Sequence, residues 1–123
     1  QIAKNLKKGD IIFFFGELGA GKTTLIKGMV NQINNTKETN VISPTFTYLN
    51  IYPGNIDVYH FDLYRIKDEK QFLSMGFDEY FEKDGICLIE WAEKITPIIP
   101  PKALMIHLIN KNENERQIAI LES

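Results

Sequence analysis

The residues from Gly16 to Thr23 read Gly-Glu-Leu-Gly-Ala-Gly-Lys-Thr and fit the pattern G-x-x-x-x-G-K-[ST] of a phosphate-binding loop. Glycines in such a loop let the backbone turn its N–H groups inward around phosphate oxygens without a clash from a Cβ atom. Lys22 would then reach the β- and γ-phosphates, and the hydroxyl of Thr23 would coordinate Mg²⁺. The residues predicted to contact the nucleotide here are Glu17, Leu18, Gly19, Ala20, Gly21, Lys22, Thr23 and Thr24. A glycine-rich turn without a ligand is the alternative, and the match at every fixed position disfavours it.

Two acidic residues stand at the ends of predicted strands, where they could complete the chemistry of such a loop. Hydrolysis of a bound nucleotide needs an acid on the metal side and a group that orders the attacking water. Glu90 follows the apolar run 86–89, and Asp62 ends the predicted strand 56–62. Either carboxylate could hold Mg²⁺ through water, because this ion keeps much of its hydration. The alternative for each acid is a solvated residue of a turn.

Four further side chains are weaker candidates. Thr45 lies in a loop-like stretch, and a threonine in the switch loop of a nucleotide hydrolase senses the γ-phosphate and Mg²⁺, although a plain strand threonine is commoner. His60 could act as a base, but a single histidine in a hairpin is more often structural. Arg65 could contact phosphate or pair with an acid. Trp91 could stack on a base, although packing is the commoner role beside a strand end.

The flanks of the loop supply the strand and the helix that this mechanism requires. The apolar run 11–15 predicts a buried strand, and apolar residues recur at helical spacing after the loop, namely Leu25, Ile26, Met29, Val30 and Ile33. The run 86–89 contains no polar residue and is typical of a strand buried on both faces. We expect both strands to lie parallel and central, with the ligand at their carboxyl ends.

The remaining patterns predict a β-hairpin and short helices. β-Branched and aromatic residues favour a strand over 41–49, which the turn signal at 52–55 joins to 56–62 as a hairpin with alternating apolar and polar faces. Residues 67–76 predict a helix capped by Asp68 and ended by Gly76, and 78–82 a further helical turn.

Strands are also predicted at 104–109 and 117–121, with a turn between them, and this later hairpin makes the sheet mixed. Residues 1–8 are expected to end a helix before a turn at Gly9 and Asp10. The predicted fold is α/β, a three-layer sandwich like that of P-loop NTPases, with a mixed central β-sheet.

Composition limits the classes of protein and partner. A chain of 123 residues predicts one domain over 1–123, and a net charge of −2 argues against a broad, sequence-independent nucleic-acid surface. Its one cysteine permits no internal disulfide and is typical of a reducing compartment. No apolar run reaches the roughly 18 residues that a membrane span needs. We expect a cytoplasmic protein without membrane contact.

Four segments occur in order: Gly16 to Thr24, Ser-Pro-Thr-Phe at 43–46, His-Phe-Asp-Leu-Tyr-Arg at 60–65 and Leu-Ile-Glu-Trp at 88–91. This series resembles the bacterial TsaE family, also called YjeE, over nearly the whole chain. Members of that family are small P-loop ATPases required to form threonylcarbamoyladenosine on tRNA, beside the anticodon. They work with the TsaD–TsaB pair, which performs the transfer, and are thought to hydrolyse ATP to reset that complex.

The resemblance implies ATP or ADP and Mg²⁺ as cofactors, and TsaD and TsaB as partners through which tRNA is reached indirectly. It implies Asp62, Glu90 and Thr45 as the residues needed for hydrolysis, with Thr23 and Glu90 at the metal and Trp91 close to the nucleotide. Two departures stand out: Glu17 replaces a residue that is often Asp in the family, and the helix before the first strand is expected to be shortened.

Three other functions remain open. Residues 110–113, Asn-Lys-Asn-Glu, faintly mimic the guanine-reading N-K-x-D of GTPases, but the last residue is Glu and the chain has no D-x-x-G. A small-molecule kinase needs an acceptor pocket and usually a basic lid, whereas Arg65 and Arg116 are the only arginines. A nucleotide-dependent binding module with incidental hydrolysis overlaps the preferred interpretation, since TsaE proteins alone hydrolyse slowly.

Overall fold

The protein is represented by a computed structural model that describes residues 6–16, 19–34, 48–110 and 116–122. The strands and helices are β1 (Ile11–Gly16), α1 (Gly19–Asn34), β2 (Leu49–Tyr52), β3 (Val58–Asp62), α2 (Glu69–Ser74), β4 (Ile86–Glu90), β5 (Leu104–Asn110) and β6 (Arg116–Glu122). Two 3₁₀ segments, Phe77–Glu82 and Ala92–Ile98, follow α2 and β4 respectively.

Within these residues the strands form one six-stranded sheet in the order β2-β3-β4-β1-β5-β6. β3, β4, β1 and β5 run parallel to one another, while β2 and β6 pair antiparallel at the two edges. The predicted central pair is confirmed, since β1 lies parallel to β4 with Ile12 opposite Leu88 and Phe14 opposite Glu90. The hairpin of β5 and β6 makes the sheet mixed, as expected.

Apolar side chains cover both faces of this sheet and produce three layers. On one face, Ile26, Met29 and Val30 of α1 pack in one buried cluster with Ile12 and Phe14 of β1. On the other face, side chains from α2 and both 3₁₀ segments bury the strands. The covering side chains are Phe72, Phe81, Ala92 and Ile95, and the strand residues beneath them include Phe13, Phe61 and Ile89. The predicted α/β sandwich is confirmed.

The short helix α2 begins and ends where its sequence predicts. Oδ1 of Asp68 accepts a hydrogen bond from the N–H of Gln71 at 3.0 Å, which satisfies one of the donors exposed at a helix start. Gly76 has φ 76°, a left-handed conformation that glycine adopts without steric cost, and the chain leaves the helix there. The 3₁₀ segment Ala92–Ile98 was not predicted, and its backbone is interrupted by a non-helical Ile95.

The first hairpin is present, but its boundaries and its burial differ from the prediction. β2 runs Leu49–Tyr52, so Tyr52 belongs to the strand rather than the turn, and the predicted strand residues 41–47 lie outside the described part. The predicted alternation is present, with Tyr59 and Phe61 on one face of β3 and His60 and Asp62 on the other, but all five residues of the strand are buried. Alternation in sequence cannot distinguish a polar face turned to water from one enclosed by neighbouring strands and a helix.

The chain enters β1 through a turn, as expected. Gly9 has φ 91°, and the N–H of Lys7 donates to Oδ2 of Asp10 at 2.9 Å. The predicted N-terminal helix falls largely on residues 1–5, outside the described residues, and residues 6 and 7 are not helical. In the part of the chain that the structure describes, no helix has the length and apolar character needed to cross a membrane.

Candidate functional site

The predicted phosphate loop joins a central strand to the longest helix. β1 ends at Gly16 and α1 begins at Gly19, while Glu17 and Leu18 lie outside the described residues. The structure places the backbone of the other predicted contacts in the first turns of α1, namely Gly19, Ala20, Gly21, Lys22, Thr23 and Thr24. A helix start presents N–H groups without intrahelical partners and the positive end of the helix dipole. The junction therefore suits an anion.

Asp62 and Glu90 meet at the same edge of the sheet. Asp62 is the register partner of Glu90 between β3 and β4, and Glu90 is the partner of Phe14 between β4 and β1. Their exposed fractions are 4% and 2%, so neither is the solvated turn residue that was the alternative. One buried carboxylate thus lies beside the strand that leads into the phosphate loop, and the second lies one strand further along.

Both acids lie on the face of the sheet that α1 covers. Val58 of β3 and Leu88 of β4 belong to the cluster that packs on α1. Because successive side chains of a strand alternate between faces, Asp62 shares the face of Val58, and Glu90 shares that of Leu88. The carboxylates are therefore on the same side of the sheet as the helix whose start follows the loop.

His60 also lies on this face and hydrogen-bonds to one of the acids. Its Nε2 is paired with Oε2 of Glu90, and the two side chains are almost wholly buried. A buried carboxylate needs a hydrogen-bond partner, and His60 supplies one. The other ring nitrogen, Nδ1, is buried and has no hydrogen-bond partner within the described residues. A proton on Nδ1 would be a buried unsatisfied donor, so we assign the ring proton to Nε2.

The end of β3 is fixed by three hydrogen bonds around Asp62, one to its side chain and two between backbone groups. Oδ1 of Asp62 accepts from the N–H of Tyr64 at 3.0 Å, a local turn that aspartate commonly makes. The N–H of Asp62 donates to the carbonyl of Tyr48 at 2.9 Å, and the N–H of Leu63 donates to the carbonyl of Glu90 at 3.2 Å. These bonds join the ends of β3 and β4 to the residue that precedes β2.

The two non-glycine residues with positive φ in the described ranges both adjoin this site. They are Tyr48 at 65° and Trp91 at 59°. Such a backbone conformation costs a side-chain-bearing residue on the order of 1–2 kcal/mol, and it is found more often at functional sites. Trp91 directly follows Glu90, and its ring centre lies 4.9 Å from that of the half-exposed Tyr64. The predicted position of Trp91 close to a nucleotide stays a prediction.

Several predicted roles fall outside what the structure tests. Thr45 lies outside the described residues, so its switch role stays a prediction. Arg65 is exposed, and its contact with phosphate also stays a prediction. The described residues contain no group of three His, Cys, Asp or Glu side chains that could hold a metal ion. Metal binding by Thr23 and Glu90 remains an expectation.

His60 is the site residue that sequence patterns alone do not identify. A lone histidine in a predicted hairpin favours a structural role, and only the pairing of β3 with β4 brings it to Glu90. A signal is present in retrospect, because His60 and Asp62 share one face of β3, as Leu88 and Glu90 share one face of β4. These shared faces can be interpreted only once β3 and β4 are known to be adjacent parallel strands.

Comparison with known proteins supports the assignment suggested by the motifs. A family model described as "Threonylcarbamoyl adenosine biosynthesis protein TsaE" matches residues 1–118. The tRNA threonylcarbamoyladenosine biosynthesis protein TsaE of Bacillus subtilis is 42% identical over 113 residues, which cover 91% of this chain and 69% of that protein. The protein of the same name from Rickettsia typhi is 39% identical over 119 residues, which cover 96% of this chain and 81% of that protein.

A solved structure agrees with these sequence comparisons. The crystal structure of YdiB from Bacillus subtilis is similar with a TM-score of 0.75 and 35% sequence identity, over 94% of this chain and 70% of that chain. Family model, relatives and fold therefore agree with one another. The chain belongs to the TsaE family.

Proposed function

We propose that this protein binds ATP with Mg²⁺ and hydrolyses it as a component of the machinery that forms threonylcarbamoyladenosine on tRNA. The observation that carries the proposal is one juxtaposition. The phosphate-loop sequence spans the junction of β1 and α1. Buried Glu90 ends β4, which pairs with β1, and buried Asp62 ends β3, the next strand along, on the face covered by α1. Membership of the TsaE family supports the place in tRNA modification.

The loop and the start of α1 bind and orient the triphosphate. Backbone N–H groups of the loop and the first turn of the helix donate to phosphate oxygens, and Lys22 neutralises charge on the β- and γ-phosphates. Positioning of this kind is most of what a protein contributes to phosphoryl transfer, because little covalent chemistry is required of its side chains. Lys22 is therefore assigned chiefly to binding.

The chemistry of the proposed ligands fits Mg²⁺. A buried carboxylate, a threonine hydroxyl and phosphate oxygens are the hard oxygen ligands that this ion takes, and water completes its coordination. Glu90 and Thr23 would hold the ion, so a cluster of three protein ligands is not required. When bound, Mg²⁺ supplies charge neutralisation on the β- and γ-phosphate oxygens.

Asp62 is assigned to the attacking water. Its carboxylate already accepts the N–H of Tyr64 at Oδ1, and a carboxylate can accept several hydrogen bonds at once. The bond to Tyr64 limits rotation of the side chain, which would hold an accepted water in one orientation. Trp91 is assigned to the nucleotide side of the site because it follows Glu90 and is only partly buried.

Hydrolysis is proposed to reset a complex of TsaD and TsaB between rounds of transfer. The reaction is placed in the cytoplasm, and tRNA is contacted through those two partners. The proposal is tested by measuring ATP turnover with and without purified TsaD–TsaB, with Lys22→Ala as the control that loses nucleotide binding. We expect slow turnover alone and faster turnover with both partners present. Tight ATP binding with no turnover under either condition would contradict hydrolysis and favour a nucleotide-dependent binding module.

The choice of nucleotide has its own test. Calorimetric titration of ATP and GTP into the protein with Mg²⁺ should give tighter binding of ATP. A clear preference for GTP would contradict the adenine assignment and favour the GTPase alternative suggested by the partial guanine motif at 110–113.

A further inference from the structure

We propose that His60 is a positioning residue, which holds the carboxylate of Glu90 in the orientation that ATP hydrolysis requires. This inference rests on the proposed function for its consequence, but the hydrogen bond on which it depends is a property of the chain alone. His60 lies two residues before the end of β3. The side chain of Glu90, at the end of the adjacent strand β4, extends back along the sheet to bond with it.

Register shows why this contact is specific. In the parallel pairing of β3 with β4, His60 is the partner of Leu88 and Asp62 is the partner of Glu90. The bond between Nε2 of His60 and Oε2 of Glu90 is therefore diagonal, and it draws the carboxylate over the α1 face of the sheet. An unrestrained glutamate at a strand end has several rotamers available, so this bond selects among them.

The histidine is itself held in place. Its ring is stacked with that of Tyr52, with ring centres 6.5 Å apart and planes 26° from parallel. Its side chain is 2% exposed, and it lies between β2 and β4 rather than at an edge of the sheet. A donor that cannot rotate or reach water is suited to fixing the direction of its acceptor.

The lack of a partner for Nδ1 among the described residues indicates that this bond has a purpose other than general stability. A histidine that served only to fill the core would leave a buried acceptor unsatisfied, which costs stability. An apolar residue of similar size would avoid that cost. Retaining the ring is explained if its Nε2–H is needed by Glu90. Groups that orient a metal-side ligand commonly change metal affinity or activity by about 10–100-fold when they are removed.

The first experiment examines the bond without nucleotide. Long-range ¹H–¹⁵N NMR of the imidazoles reports which ring nitrogen is protonated, and His107→Gln assigns the two histidines of the chain. We expect a proton on Nε2 of His60 that exchanges slowly and becomes exposed to exchange in Glu90→Ala. A rapidly exchanging His60 ring, or one that is unaffected by Glu90→Ala, would overturn the inference whatever the protein does with ATP.

The second experiment measures turnover with TsaD–TsaB for His60→Leu and His60→Gln. Leucine removes the donor, whereas the amide of glutamine can place an N–H near the position of Nε2. We expect His60→Leu to lower kcat by about 10–100-fold with little change in KM for ATP, and His60→Gln to recover most of that loss. His107→Gln, on the opposite face of the sheet, is the matched control and should leave kcat unchanged.

A double-mutant comparison separates positioning from a purely structural role. If His60 acts through Glu90, adding His60→Leu to Glu90→Gln should lower kcat little further, because residues that act as a unit are not additive. Equal losses in both backgrounds, or equal kcat for wild type and His60→Leu, would overturn the inference while leaving the proposed function intact. Absence of turnover in the wild-type complex would instead contradict the proposed function, and the NMR measurement would still decide the bond.

Discussion

Asp62 and Glu90 are direct partners in the parallel pairing of β3 and β4, at the last residue of each strand. Neighbouring strands lie about 4.8 Å apart, so the backbones that carry the two carboxylates are close together. Carboxylates carried by opposed residues of neighbouring strands repel each other unless each has its own partners, and here the partners differ. Asp62 accepts from the backbone of Tyr64, whereas Glu90 is bonded to His60. The difference in partners is consistent with different tasks for the two acids.

The charge of Asp62 should matter to turnover more than to folding. In Asp62→Asn, the amide oxygen can still accept the N–H of Tyr64, so the local turn is kept while the charge is lost. We expect kcat with TsaD–TsaB to fall by about 10²-fold and the free energy of unfolding to change little. Asp62→Ala should lose turnover and also about 1 kcal/mol of stability, because the partly buried N–H of Tyr64 loses its acceptor. Normal turnover in Asp62→Asn would remove Asp62 from the chemistry.

Two glycines should respond to alanine with opposite signs. A Cβ atom at buried Gly85 would lie 2.6 Å from the carbonyl oxygen of Asp57 and 2.9 Å from Cζ of Tyr59, so the backbone must shift. We expect Gly85→Ala to lower the free energy of unfolding by about 1–3 kcal/mol. At Gly28, on the exposed side of α1, a Cβ would meet nothing within 4 Å. Gly28→Ala should raise stability by about 0.5–1 kcal/mol, since alanine favours the helix.

Guanidinium unfolding curves of wild type and the two glycine variants are the measurement. Both substitutions add the same methyl group, so each serves as the control for the other. Destabilisation by both would mean that the space around Gly28 is not open, and stabilisation by both would contradict the close packing of Gly85.

The buried thiol of Cys87 should make stability fall at alkaline pH. Burial raises the pKa of this thiol from an ordinary 9.0 to about 12, with Lys102 acting weakly in the opposite direction. Between these values the unfolded chain loses the thiol proton and the folded chain keeps it, so the unfolded state binds fewer protons and the free energy of unfolding falls as pH rises. The contribution should be complete below about pH 9 and should shrink by about 1 kcal/mol between pH 8 and pH 10.

Cys87→Ala removes this thiol and keeps every other titratable side chain, although Cys87 is one of the groups that raise the pKa of Tyr59, after burial and Asp57. The difference in free energy of unfolding between wild type and Cys87→Ala should therefore decrease by about 1 kcal/mol over the same interval. Denaturant curves at pH 8, 9 and 10 measure it. A difference that stays constant with pH would show that the thiol ionises alike in both states.

Local patterns were sufficient for the parts of the fold that depend on local sequence. The runs 11–15 and 86–89 predicted the central parallel strands because a strand buried on both faces is apolar throughout. Asp68 and Gly76 predicted the limits of α2 because capping is decided by the residues at the helix ends. The position of the phosphate loop between strand and helix followed from the same short-range signals.

The pairing of β3 with β4 could not be predicted from the sequence. β3 looked like half of a hairpin with a polar face, and its second neighbour, β4, comes later in the chain after α2 and a 3₁₀ segment. Burial of His60 and its bond to Glu90 depend on that non-local pairing, so no window of sequence contained them. The positive φ of Trp91 likewise is imposed by tertiary structure, since tryptophan has no preference for that conformation.

The role of hydrolysis is tested most directly by multiple-turnover tRNA modification with Glu90→Gln in the presence of TsaD and TsaB. Glutamine keeps the size of the side chain but removes its charge, and ATP turnover is expected to fall by about 10²–10³-fold while ATP still binds. If hydrolysis resets the complex, wild type should modify many tRNA molecules per complex and Glu90→Gln should stop near one. Continued modification by Glu90→Gln at the wild-type rate, with its ATP turnover abolished, would contradict the account.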